Sequence, residues 1–163
     1  MKPLYKALLA LYVLFLLWLI LFKTSIDFSS VLLHYQSRSL NLIPFAGYSS
    51  GNAHEMIDNF IVFIPLGLLL SANLKRISFW RKFAFILGLS VAAELAQFVL
   101  AIGRTDTTDM VTNTLGGLFG LALYAAAKKY VNNERLDCCI AVVLTILLIF
   151  FLWLRFFVLR VRY

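Results

Sequence analysis

Apolar residues run along this chain in five long blocks, and charged residues sit almost only at the block ends. The blocks cover residues 7–22, 59–74, 83–103, 110–127 and 138–154. A bilayer-crossing helix needs about 17–25 mostly apolar residues, so each block is a candidate span. The first two are slightly short, which flanking lysines offset by extending toward the head groups. The pattern predicts an all-α polytopic transmembrane bundle of about five spans, with residues 1–163 forming a single membrane domain.

Composition sharpens the picture. Of the 163 residues, 62% are hydrophobic and 14% charged, whereas a soluble domain carries about a quarter charged residues. The net charge of +7 does not point to nucleic acid. The basic residues bracket apolar runs instead of covering one polar face, which suits membrane lipids. Lys2, Lys6, Lys75, Arg76, Arg81, Lys82, Lys128, Lys129 and Arg135 fall on one side of a five-span chain. The positive-inside rule makes that side cytoplasmic, together with the N-terminus. Arg155, Arg160 and Arg162 then fall outside, against the rule. The first block resembles a signal peptide, but Lys23-Thr24-Ser25-Ile26-Asp27 offers no small-residue cleavage site. It reads as an uncleaved anchor.

Cys138 and Cys139 are adjacent, a poor geometry for a disulfide, and have no metal-ligand spacing. They read as small apolar residues. His54 and Glu55 likewise lack tight ligand spacing, so no metal and no cofactor is expected.

Polar residues inside the blocks carry more information. Glu94 lies within the third span, where a carboxylate costs about 2.5–3.5 kcal/mol to insert. Gln97 follows one turn later on the same face as Ser90, Ala93 and Ala101, so this small, polar stripe looks into the bundle. Arg104, Asp106, Asp109 and Asn113 mark the entry to the fourth helix. Asp106 fits an N-cap and Asp109 the third helical residue, both favoured by the helix dipole. Capping alone accounts for the two aspartates but not for Arg104 and Asn113. Gly116, Gly117 and Gly120 permit close helix approach. In the second span, Pro65 removes a backbone donor, and Asn59 stands at its outer end.

Depth unites these groups. At about 1.5 Å per residue, Gln97 lies roughly 7 Å and Glu94 roughly 12 Å below the outer end of the third span. Asn113 lies about 6 Å below Asp109. Most of the unusual polar residues thus fall in the outer half, which predicts an extracytoplasmic pocket reaching down to Glu94. The long loop 23–58 would contribute Asn41 and Pro44, since Pro44 favours an extended residue before it.

Asn41-Leu42-Ile43-Pro44-Phe45, Asn59 with Phe63, Pro65 and Gly67, Glu94 with Gln97, and Arg104, Asp106, Asp109, Asn113, Gly116, Gly117 and Gly120 together resemble the VanZ-like family over residues 41–120. The resemblance implies a small bacterial plasma-membrane protein and suggests lowered susceptibility to teicoplanin-type glycopeptides. It supplies no mechanism.

Four functions compete. In the first, Asn41, Asn59, Glu94, Gln97, Arg104, Asp106, Asp109 and Asn113 bind or modify an amphipathic ligand, such as a lipid-linked cell-wall precursor, a glycolipid or a lipoglycopeptide. Arg104 would hold an anionic group. In the second, Glu94, Asp106 and Asp109 are catalytic carboxylates of a membrane enzyme acting on lipid-linked or glycolipid substrates. No nucleophile, phosphate-loop or metal motif supports it. The third is a small transporter or flippase-like protein, which five spans without an internal repeat could form only as an oligomer. The fourth is a structural membrane partner whose polar groups merely pack helices.

Overall fold

The computed structural model describes residues 2–22, 39–45, 50–100, 104–154 and 157. Five helices dominate: α1 (Lys2–Phe22), α2 (Ser50–Asn73), α3 (Phe79–Leu100), α4 (Thr107–Ala127) and α5 (Asn133–Trp153). Each is long and apolar enough to cross a membrane. Two short strands, β1 (Ser39–Asn41) and β2 (Arg104–Asp106), pair in parallel. That pair is an addition to the all-α expectation. Loop residues 23–38 and 46–49, and most of the Arg155–Arg162 tail, lie outside the described residues.

The helices begin earlier than the apolar blocks. α2 starts at Ser50, nine residues before Asn59, and α3 starts at Phe79. The first turns of α2 are too polar to register as a span, yet backbone hydrogen bonding continues a helix past the apolar boundary. Asn59 consequently stands about 13 Å along α2 rather than at its outer end.

The surface is apolar and the interior holds the polar groups. Leu95, Val99, Ile146 and Phe150 are exposed, while Ser90, Glu94, Gln97, Asp109 and Asn113 are buried. This inversion suits a bundle solvated by lipid tails, where exposed leucine costs nothing and exposed carboxylate is expensive.

Among lipid tails, apolar burial gives helices no preference for each other, so close packing must hold them together. α2 and α4 run side by side in the same direction, and glycine lets their backbones touch. A Cβ on Gly116 would strike the carbonyl oxygen of Phe60, and one on Gly120 that of Ile64. A Cβ on Gly67 would meet the Gly117 carbonyl oxygen and, at 2.8 Å, the Leu121 nitrogen. Gly117 faces the third partner, where Ile86 of α3 fills the space beside it. α1 joins through the Tyr12 hydroxyl, which donates to the Val62 carbonyl at 2.6 Å. Three residues on, Pro65 lacks the N–H that the Ile61 carbonyl would take, so the helical ladder is interrupted beside this contact. α5 packs through Ala141, Leu144 and Leu148, and its Phe151 meets Phe15 of α1 edge to face at 5.3 Å.

Successive helices are joined by the short turns 74–78 and 128–132, so their ends alternate between two faces of the bundle. One face gathers the starts of α1, α3 and α5 and carries Lys6, Lys75, Arg76, Arg81, Lys82, Lys128, Lys129 and Arg135. We call it the basic face. The opposite face holds the starts of α2 and α4 and the end of α3.

Replacing Gly67 or Gly116 by leucine forces α2 and α4 apart and costs about 1–3 kcal/mol or more in overpacking. Gly88 has open space around its Cα, so Gly88→Ala is neutral or slightly stabilising through better helix propensity. Thermal melting of the detergent-solubilised protein separates the two: a lowered midpoint is expected for Gly67→Leu and Gly116→Leu only.

Candidate functional site

The site is built at the non-basic face, where three segments distant in sequence converge. Asp106 is the N-cap of α4, with extended backbone angles and a side chain accepting from the Thr108 nitrogen. Its carboxylate also receives the Asn41 amide, at 3.1 Å to Oδ1 and 3.0 Å to Oδ2. The strands fix this meeting, since Asn41 and Asp106 are register partners in the β1–β2 pair. Thr107 Oγ1 donates to the Asn41 carbonyl at 3.1 Å. The Phe45 nitrogen donates to Thr108 Oγ1 at 3.0 Å, and Asn41 Oδ1 accepts from the Ile43 nitrogen at 3.3 Å. Phe45 itself takes a left-handed conformation (φ 62°), which non-glycine residues rarely adopt. Residues 39–45 are thereby stapled to the start of α4.

Glu94 is held by the start of α4. Its Oε2 accepts from the Asp106 backbone nitrogen at 3.0 Å, and its carbonyl accepts from Thr105 Oγ1 at 3.3 Å. The Asp106 N–H is one of the donors left over where α4 begins, so Glu94 also completes that helix start. Only 2% of Glu94 is exposed. Asp109, in the first turn of α4, is also buried and is favoured there by the helix dipole.

Two amides flank this network. Gln97 Nε2 donates to the Ile20 carbonyl at 2.9 Å, tying α3 to the last turn of α1. Asn113 Nδ2 donates to Ser90 Oγ at 3.2 Å, and that hydroxyl donates to the Met110 carbonyl at 3.4 Å. The direction of these bonds leaves the amide oxygens facing elsewhere. Gln97 Oε1 and Asn113 Oδ1 are fully buried, and among the described residues neither accepts a hydrogen bond. Orphan acceptors of this kind are rare and costly in a low-dielectric interior.

The arrangement brings Asn41, Glu94 and Asp106 into one connected network and buries Asp109, Gln97 and Asn113 on the helices around it. Asn59 is half-buried on α2, with no hydrogen bond to this network among the described residues. Arg104 contributes its backbone to β2, opposite Ser39, and its side chain lies outside the described residues. Residue typing missed the hydroxyls of Thr105, Thr107 and Thr108, which a T-D-T-T run at a helix start could have flagged as capping groups. It also missed a second buried cluster, at the basic face. There Tyr124 of α4 donates to Asp137 of α5 at 2.8 Å, and Asp137 pairs with Lys75. Among the described residues no group of three or more His, Cys, Asp or Glu is placed to hold a metal ion.

Five spanning helices with a buried polar network at one face define a polytopic membrane protein whose site is made by a loop folding back onto the bundle. Comparison with known proteins gives this class a family. The VanZ/LLP1 family model matches residues 9–128, and the chain is 51% identical to "Protein VanZ" of Enterococcus faecium over 154 residues, 94% of each chain. The chain belongs to the VanZ/LLP1 family. No solved structure gives a significant match.

The Asn41–Asp106 contact is worth about 1.5–3 kcal/mol as a hydrogen bond to a charged group, and the Asp106 cap about 1 kcal/mol more. Asp106→Ala should therefore destabilise more than Asn41→Ala, and the double variant should lose less than the sum of the two. A double-mutant cycle on unfolding in detergent measures this, and strict additivity would show that the two side chains are not coupled.

Proposed function

We propose that this protein is a multi-pass plasma-membrane protein of the bacterial cell envelope that binds or modifies an amphipathic ligand at its extracytoplasmic face. The observation that carries the reading is the pair of buried amide oxygens, Gln97 Oε1 and Asn113 Oδ1, which accept no hydrogen bond among the described residues. Such acceptors suit a ligand bearing hydroxyl, amide or ammonium hydrogens, which sugars and peptides supply. The positive-inside rule supports the orientation, because the basic face is the one opposite this site.

The ligand class follows from the setting. A site at the membrane surface with exposed apolar residues nearby, such as Leu42 and Ile43, suits a molecule with a polar head and a lipid tail. Lipid-linked cell-wall precursors, glycolipids and teicoplanin-type lipoglycopeptides share that build. Arg104 is assigned the anionic group of such a ligand. The family kinship makes lowered teicoplanin susceptibility the first phenotype to examine.

Binding is favoured over acid–base catalysis by one detail. Both oxygens of Asp106 are engaged, by Asn41 and by the helix start, so Asp106 positions backbone rather than moving protons. Glu94 and Asp109, both buried at this face, are assigned to the ligand.

Glu94→Gln and Asp109→Asn keep shape and remove charge. In a glycopeptide-sensitive bacterium the wild-type protein is expected to raise the teicoplanin concentration needed for growth arrest. The two variants, present in the membrane at wild-type abundance, are expected to lose most of that effect. Full protection by abundant, correctly inserted variants would refute a ligand role for these carboxylates.

A further inference from the structure

At the opposite end of the bundle, the basic face contains a cavity of about 720 Å³. It opens between the first turns of α1, the end of α2 with its following turn, and the first turns of α5. Its volume falls within the ordinary range of ligand-binding clefts, about 300–1,000 Å³. Three cations line it: Lys6, Lys75 and Arg76. Lys75 is committed to Asp137, whose other oxygen takes the Tyr124 hydroxyl. Asp137 and Tyr124 are buried while Lys75 is exposed, and the ion pair neutralises itself. Lys6 and Arg76 have no ion-pair partner among the described residues, although Glu134 and Asp137 line the same cavity. The wall between them is largely apolar, formed by Ala72, Leu74 and Ile77.

Two unpaired cations over an apolar wall are complementary to a phosphate ester on a hydrophobic backbone. Arginine matches phosphate oxygens with a planar fork of donors, and lysine adds a mobile point charge. The starts of α1 and α5 add the positive ends of two helix dipoles. The cavity's level in the membrane is marked by Trp80, which is 72% exposed at the start of α3 and flanked edge to face by Phe79 at 5.6 Å. Exposed tryptophan of this kind sits at the head-group layer. Glu134, exposed at the start of α5, would repel a bare phosphate but accepts from a hydroxyl or ammonium attached to one.

We propose that this cavity binds a phosphodiester carrying a hydrogen-bond donor, the chemistry of a glycerol or ethanolamine phospholipid headgroup. Lys6 and Arg76 hold the phosphate, and Glu134 takes the donor of the headgroup. The Lys75–Asp137–Tyr124 triad ties the turn after α2 to α4 and α5 beside it. This site lies at the far end of α2 and α4 from the Glu94 network and stands independently of the function proposed there.

The test is lipid retention by the full-length protein, read by native mass spectrometry after release from detergent. The protein is offered phosphatidylethanolamine against phosphatidylcholine with identical acyl chains; both are zwitterionic phosphodiesters, and the latter has no donor. Wild type is expected to retain phosphatidylethanolamine about tenfold better, the effect of one or two charge-assisted contacts. Glu134→Ala should abolish that preference, and Lys6→Gln/Arg76→Gln should lower the retention of both lipids. Both side chains are exposed, so the variant keeps its fold, and an unchanged melting temperature verifies this. Lys128→Gln/Lys129→Gln removes equal charge from the same face outside the cavity and should keep the retention and the preference. Excess glycerol phosphate that displaces the lipid would identify a soluble phosphate ester as an alternative occupant, whereas failure to displace assigns the site to the lipid. No preference in wild type, or equal loss in both double variants, overturns the proposal.

Discussion

Everything in this bundle depends on the backbone contact between α2 and α4. Lipid tails are as apolar as leucine, so helices gain little by hiding apolar surface from them. What they gain is dispersion and backbone polarity at short range, and only glycine allows the approach. Gly116 and Gly120 sit against the Phe60 and Ile64 carbonyls, and Gly67 sits against α4 in return. Because the two helices run parallel, their N-terminal turns lie side by side at one face. The start of α4, with Asp106 and Asp109, is thereby placed where β1 and the end of α3 can reach it.

Polar satisfaction then selects the details. A carboxylate in a span is tolerated when it meets donors, and Glu94 meets the free N–H at the α4 start. The network around Asp106 closes a helix terminus, pins a loop and engages Glu94 with the same few groups. Stability and candidate function therefore overlap at this face. The two amides beside it are different, because each spends its donor on the fold and keeps its acceptor unspent.

Much of this was legible in the sequence, for physical reasons. The five spans follow from the spacing of charge, and Asp106 as N-cap follows from the preference of short acceptors for helix starts. The inward face of Glu94, Gln97 and Ser90 follows from the cost of exposing them to lipid. Other features left no local signal. Three-residue strands have no detectable alternation, so the β1–β2 pair that joins Asn41 to Asp106 emerges only in three dimensions. The polar start of α2 masked its first nine residues and misplaced Asn59. Gly67, a single glycine after a proline, did not advertise a helix contact. Asp137 read as a mere span boundary, yet it is buried between Tyr124 and Lys75.

The central claim is that the unspent amide acceptors in the outer half are ligand contacts. Isotope-edited infrared spectroscopy addresses it directly. The chain has two glutamines, Gln36 and Gln97, so side-chain ¹³C-glutamine labelling of a Gln36→Ala variant isolates the Gln97 carbonyl. Teicoplanin is added in one arm and a lipid-linked peptidoglycan precursor in the other. The account predicts a shift of the Gln97 amide band to lower frequency in at least one arm, as Oε1 gains a donor. An unshifted band in both arms at saturating ligand, with binding verified independently, would contradict it.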